Sequence, residues 1–229
     1  MRAWKSIGLK KSSVNRIIFD SNECTTDLCR IGARFMTDKS PLNPISEAQV
    51  QFRHAYTPIY DFLFAPMRHR LISVAEIGIY NAAGLLMLRD YFTKARLYGF
   101  EFGQQYIENA RRLQIRDTCI DFIDVTDSAE IGRAFQRTQR SYDLIIDDST
   151  HDVEDQVRVI RCCTKFLGPG GILVIEDIFD DFRAPEQKFA EVLREVGDEY
   201  CSINFLIPKN RATSTGDWNN EKLLVMIKK

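Results

Sequence analysis

No run in this chain approaches the about 20 consecutive apolar residues that a membrane-spanning helix needs. The opening residues, Met1-Arg2-Ala3-Trp4-Lys5, carry no apolar core of signal-peptide length. Charge of one sign is not in excess either. Lysine and arginine total 31 against 32 acids, a net charge of −1, which makes no electrostatic case for nucleic acid. The local basic groups Arg68-His69-Arg70 and Arg111-Arg112 read as solvated helix ends. The six cysteines (Cys24, Cys29, Cys119, Cys162, Cys163 and Cys201) do not make zinc-type paired spacings. Adjacent Cys162 and Cys163 point to different sides of a helix. There is no Gly-x-Gly-x-x-Gly turn, which disfavours a Rossmann-type nucleotide-sugar oxidoreductase. Repeats and low-complexity tracts are missing as well. The expectation is a cytoplasmic protein with reduced thiols and neither membrane nor nucleic-acid partners.

What is present is an ordinary globular balance, 45% hydrophobic and 28% charged over 229 residues. That suffices for one domain with a substantial core. Residues 1–35 are weakly patterned and are expected to form an N-terminal arm, with 36–229 as a single domain. Residues 37–50, with Pro41, Asn43 and Pro44, read as a loop. From Ser46 to Phe64 the positions Val50, Tyr56, Ile59, Tyr60 and Leu63 form a helical stripe, with Pro58 inside it as a break or a fresh start.

A regular alternation follows. Strand-like runs at 71–75, 95–100, 119–123, 142–146 and 171–175 alternate with helical segments near 85–88, 105–113, 128–136 and 153–166. A helix near 185–196 precedes two last strands, 201–207 and 223–227, which have no helix between them and so pair antiparallel. Strands apolar on both faces and alternating with helices give an α/β fold: a seven-stranded, mostly parallel sheet with helices on both faces and the last strand antiparallel.

The chemistry gathers at strand ends. After the first strand of the alternation comes Glu76-Ile77-Gly78, leading to Gly84; a glycine there lets a ligand approach the backbone, and the next helix offers free N–H groups. Glu101 ends the next strand, where a carboxylate suits a ribose diol. Asp124 follows the third strand and suits an adenine amino group, while Asp127 reads as a helix N-cap. The run Leu144-Ile145-Ile146 ends in Asp147-Asp148 with His151 one turn on, and Gly171 to Ile175 ends in Glu176-Asp177. Neighbouring acids repel unless a cation or proton neutralises them. Mg²⁺ takes carboxylate oxygens and keeps positions open for hydroxyls, and His151 stands ready to take a proton. The competing reading has Asp147 or Asp148 capping the next helix and His151 on the surface. Tyr56 and Tyr60, four apart on a helix, share a face that can line a substrate pocket beside His54. Trp218 either shapes a substrate mouth or packs, and His69 reads as surface.

These segments resemble class I S-adenosylmethionine-dependent methyltransferases. They are more closely similar to the metal-dependent sugar O-methyltransferases of the mycinamicin and demethylmacrocin type. The resemblance rests on Thr37-Asp38-Lys39, His54-Ala55-Tyr56 with Tyr60, Glu76 to Ile79, Ile146 to His151, Pro169 to Gly171 and Glu176-Asp177, and runs from about residue 35 to 180. It implies a Rossmann-like sheet. By it Glu76, Gly78 and Glu101 hold S-adenosylmethionine with Asp124 near the base, and Asp147 is counted with them. Asp148, Glu176 and Asp177 bind Mg²⁺, and His151 is the general base. The implied reaction is O-methylation of a sugar hydroxyl on a glycan or small molecule. The alternatives are a catechol-type acceptor and a non-catalytic S-adenosylmethionine-binding protein of the same fold. Three positions depart from the family pattern: Ala82-Ala83-Gly84 for Gly-Gly-Ser, Glu101 for Asp, and Ser149-Thr150 for Gly-Ser. The alanines are expected to crowd the methionine end of the cofactor. The arm could act as a lid or as a contact in a homo-oligomer.

Overall fold

The computed structural model describes residues 14–44, 52–138, 140–179 and 186–229. Among them, eight strands make one mixed sheet: β1 (Val14–Asp20), β2 (Ser73–Ile77), β3 (Arg96–Glu101), β4 (Thr118–Phe122), β5 (Tyr142–Asp147), β6 (Leu167–Ile178), β7 (Tyr200–Lys209) and β8 (Lys222–Lys228). The helices are α1 (Asp27–Arg34), α2 (Tyr56–Phe64), α3 (Ala83–Tyr91), α4 (Gln104–Arg112), α5 (Ser128–Thr138), α6 (Val153–Cys163) and α7 (Glu186–Val196). The strand order is β1-β7-β8-β6-β5-β2-β3-β4. Only β8 runs antiparallel, against both β6 and β7.

Successive side chains of a strand point to opposite faces, and here both faces are covered. Val74, Leu144, Ile146 and Val174 pack with Tyr60, Phe64 and Leu88 from α2 and α3. Their neighbours Ala75, Ile145 and Ile175 pack with Phe135, Ile160 and Phe189 from α5, α6 and α7. None of the described helices is long and apolar enough to cross a membrane.

The sheet has one strand more than expected. Residues 14–34, anticipated as part of an arm, supply β1 and α1. β1 pairs parallel with β7 from Val14↔Ile203 to Asp20↔Lys209. It lies at the sheet edge with Ile17 and Ile18 exposed, so it carries no buried alternation for a pattern to reveal. Thr26 caps α1 by accepting from the Cys29 N–H. α2 begins at Tyr56 rather than near Ser46, and residues 45–51, Val50 included, lie outside the described residues. Pro58 sits in its first turn, where a missing N–H costs nothing, so the helix is not split.

The chain leaves β2 toward β3 on one side and returns through β5 on the other. This reversal opens a crevice at the carboxyl ends of β2 and β5, the usual ligand position of an open α/β sheet. Gly78 and Asp148 form its lips, with the Asp148 N–H donating to the Ile77 carbonyl at 2.8 Å.

Candidate active site

Asp147 and Asp148 are adjacent, so they face opposite ways, and Asp148 is the one that turns into the crevice. Asp147 is buried, accepts from Ser149 Oγ at 2.7 Å and lines neither cavity described below. Burial lifts its pKa to about 7. Its burial sets it apart from Glu76, Gly78, Glu101 and Asp124, which line the two cavities. Neither acid caps α6: Asp152 does, accepting from the Glu154 and Asp155 N–H groups. Asp127 accepts from Ala129 N at 2.7 Å, as expected of a cap of α5.

At the end of β6 the chain turns through Asp177, whose φ of +54° lies in the left-handed region, as does that of His151 at +57°. Non-glycine residues held there store strain, and such residues cluster at functional sites. The turns bring His151 Nε2 to 3.1 Å from Asp148 Oδ1 and 3.5 Å from Asp177 Oδ2. One ligand atom from each of Asp148, His151 and Asp177 lies within 4.8 Å of the others. Asp177 Oδ2 also receives the Asn220 amide at 3.1 Å and faces His54 Nε2 at 3.5 Å, while Tyr56 donates to Oδ1 at 2.6 Å. Burial works against the charged imidazole of His151. The bond to Asp148 and the charges of Asp177 and Asp148 outweigh it and raise its pKa to about 9.

Glu176 stands apart from this trio. Tyr60 donates to its Oε1, and Lys39 Nζ donates to Oε2 at 2.6 Å while also bonding Asp148. Burial disfavours charge on Asp148, but the Lys39 ammonium and then His151 overcome it and hold the carboxyl at about 2. Burial raises Glu176 well above the ordinary carboxylate range against the pull of Lys39. Asp148 is therefore the acid that Lys39 keeps ionised. Tyr56 and Tyr60 share a helix face as their spacing predicts, and their hydroxyls hold Asp177 and Glu176 respectively. Their hydroxyls, fully buried, are pushed well above the usual range and stay protonated donors. Lys39 and Asn220 were not among the sequence-derived site residues. For Lys39 the available signal was the Thr37-Asp38-Lys39 segment; Asn220 had none.

Two cavities adjoin, sharing Gly78, Tyr80, Asp148 and Ser149. One, of about 380 Å³, is lined by Glu101, Phe102, Asp124 and Thr126 among others. The other, of about 410 Å³, is lined by Lys39, Glu76, Ala83, Gly84 and His151 among others. The crowding expected from Ala82 and Ala83 does not close this second space. Ala82 absorbs it by adopting φ +65° with its side chain buried. Glu76 is buried with no partner for Oε2, and burial lifts its pKa to about 8 against the Lys39 charge. Glu101 accepts four backbone N–H bonds, from Ile79, Tyr80, Phe102 and Gly103, at 2.9 to 3.1 Å. A diol bound there shares oxygens already in use. Gly78 has φ +82°, and a Cβ on it would lie 2.1 Å from the Asp148 carbonyl oxygen. Gly78→Ala is expected to cost roughly 1–3 kcal/mol in backbone strain alone and to pry Asp148 from β2. A urea midpoint equal to wild type would contradict this.

No protein-family model matches the chain. Its architecture is that of the S-adenosylmethionine-dependent methyltransferases. The MycE methyltransferase of the mycinamycin biosynthetic pathway, solved with Mg and SAH, superposes with a TM-score of 0.60 at 20% identity, over 89% of this chain and 55% of that one. In sequence the chain is similar to named sugar O-methyltransferases. It is 28% identical over 160 residues to 8-demethyl-8-(2-methoxy-alpha-L-rhamnosyl)-tetracenomycin-C 3'-O-methyltransferase of Streptomyces olivaceus, covering 67% of this chain and 37% of that protein. It is 27% identical over 161 residues to mycinamicin VI 2''-O-methyltransferase of Micromonospora griseorubida, covering 67% and 36%. The chain thus spans little more than a third of the length of these curated relatives.

Proposed function

We propose that this chain is a Mg²⁺-dependent O-methyltransferase that moves a methyl group from S-adenosylmethionine to a sugar hydroxyl, with residues 36–229 as its catalytic unit. The observation that carries the reading is the Asp148–His151–Asp177 trio at the junction of two cavities, since Asp148 lines both and His151 lines the second. Two carboxylates at this separation fit a hard divalent cation, which takes oxygen ligands, and leave the imidazole beside them for proton transfer. The cavities fit the cofactor: adenosine beside Glu101 and Asp124, and methionine beside Gly78 and the unpartnered Glu76 oxygen. Asp148 and Asp177 would hold Mg²⁺. Glu176 would join them through an oxygen already accepting from Lys39 or Tyr60.

When bound, S-adenosylmethionine supplies an activated methyl and Mg²⁺ lowers the pKa of a coordinated hydroxyl. Asp148 and Asp177 keep His151 Nε2 protonated while their charges are uncompensated; with a cation neutralising those carboxylates the imidazole would lose that proton and could receive the acceptor proton. Tyr56, Tyr60 and Asn220 hold the acids rigid, so the hydroxyl is oriented before reaction, where positioning supplies much of the rate. A sugar is favoured because vicinal hydroxyls chelate such a cation, and because the relatives are named for sugar methylation.

Calorimetry with S-adenosylhomocysteine and with Mg²⁺ tests the reading on wild type and Asp148→Asn. Wild type is expected to bind both; Asp148→Asn is expected to keep the nucleoside and lose the cation. Absence of S-adenosylhomocysteine binding by wild type, with or without Mg²⁺, would remove the methyltransferase reading.

A further inference from the structure

The segment before α2 places a carboxylate in the second cavity that the chemistry above leaves unused. Thr37 and Lys39 are each 3% exposed, whereas Asp38 between them is exposed and lines the cavity. The turn that carries it is pinned through its backbone. The Thr37 carbonyl accepts the Asn43 amide at 3.0 Å. The Asp38 carbonyl accepts the His54 backbone N–H at 2.8 Å, and the Lys39 carbonyl accepts those of Tyr56 and Thr57 at 3.0 and 3.1 Å. A side chain on so fixed a backbone is in place before any ligand arrives, which lowers the ordering cost of binding.

The Asp38 carboxylate itself makes no hydrogen bond or ion pair with a described residue. Water reaches it, yet the protein crowds it. Desolvation raises its pKa above the ordinary carboxylate value; Lys39 pulls it down and Asp148 pushes it up. The cavity holds a second acceptor in want of a donor. Glu76 is 1% exposed, lines the same space and has no partner for Oε2. Of the described residues around this cavity, Lys39 is the sole lysine or arginine, and its ammonium is spent on Asp148 and Glu176.

An unpaired carboxylate and an unpaired buried oxygen in one cavity call for a compact group with positive charge and several donors. A primary ammonium has both, with three N–H bonds to give. A sugar hydroxyl supplies a donor but no charge. The methionine end of S-adenosylmethionine carries such an ammonium on its α-carbon. We infer that Asp38 receives this α-ammonium, with Glu76 Oε2 accepting a second of its N–H bonds. A residue outside the β2–α3 turn thereby fixes the methionine end of the cofactor. Two neighbours in one turn then serve both halves of the site, Asp38 the cofactor and Lys39 the acids. This inference rests on the methyltransferase reading and adds to it a cofactor-positioning residue.

Calorimetry on the full-length wild type and Asp38→Asn tests it, with two ligands. One is S-adenosylhomocysteine. The other is its deamino analogue, which keeps the adenosine, the thioether and the carboxylate and lacks only the α-amino group. Asparagine keeps the shape of the side chain and removes its charge. Asp38→Asn is expected to bind S-adenosylhomocysteine about 10- to 100-fold more weakly, the loss of one charge-assisted hydrogen bond, and to bind the deamino analogue as wild type does. Wild type is expected to prefer S-adenosylhomocysteine over the analogue by at least the same factor. Equal binding of the two ligands by wild type would overturn the inference and leave the methyltransferase standing. Wild-type affinity for S-adenosylhomocysteine in Asp38→Asn, or an equal loss of both ligands, would do the same. A wild type that binds neither ligand would instead remove the methyltransferase reading, and the role of Asp38 with it.

Discussion

Replacing Lys39 by methionine is expected to lower stability by roughly 3–5 kcal/mol when no divalent cation is supplied, the usual result of removing one partner from a buried ion pair. The Lys39 side chain is 4% exposed and that of Glu176 1%. Without the ammonium, Asp148 and Glu176 repel each other in a low-dielectric pocket to which Asp177 and Glu76 add further acidic groups. Methionine keeps the length and apolar stem of the side chain, so the loss reports charge more than volume. Mg²⁺ should restore much of the loss, because a ligand that binds the folded state alone stabilises it by mass action. Urea unfolding of both proteins in EDTA and in Mg²⁺ measures this. Equal midpoints in EDTA would show that Lys39 is not the counter-ion.

The pH dependence carries a sign. Lys39 and His151 hold Asp148 at about 2 in the fold, against 3.8 for the free side chain. The stability contributed by this group is therefore fully present above pH 3.8 and is lost as pH falls through about 2. Lys39→Met should show a shallower loss over that window, since its Asp148 is no longer held down by the ammonium.

The second large effect concerns turnover. His151→Ala is expected to reduce kcat by roughly 10²–10⁴-fold, the range for losing a positioned general base, while S-adenosylhomocysteine binds as before. His151 also lies within 4.8 Å of both acids, so the same side chain could serve as a ligand. Manganese binding followed by paramagnetic resonance separates the two roles. A base leaves cation affinity nearly unchanged on mutation; a fall in affinity parallel to the fall in kcat would make His151 a ligand and move the proton transfer elsewhere.

Much of this architecture follows from local pattern alone. Leu144 to Ile146 and Ile172 to Ile175 are apolar on both faces, as a buried parallel strand demands, and acids placed directly after them arrive at one sheet edge. Gly78 announced a turn that only glycine fits, and the missing helix between β7 and β8 announced their antiparallel pairing. The opposed placement of Asp147 and Asp148 was also readable, since strand neighbours alternate faces. β1 was not, because an edge strand with exposed side chains has no buried face to impose a period. Nor were the partners of the acids. Lys39 reaches Asp148 across 109 positions and Glu176 across 137, and Tyr56 reaches Asp177 across 121. A strand end states where a carboxylate begins, because backbone geometry is local. Which cation, hydroxyl or amide meets it depends on how α2, β8 and the 37–39 segment pack over the sheet, and that contact exists only once the chain has closed on itself.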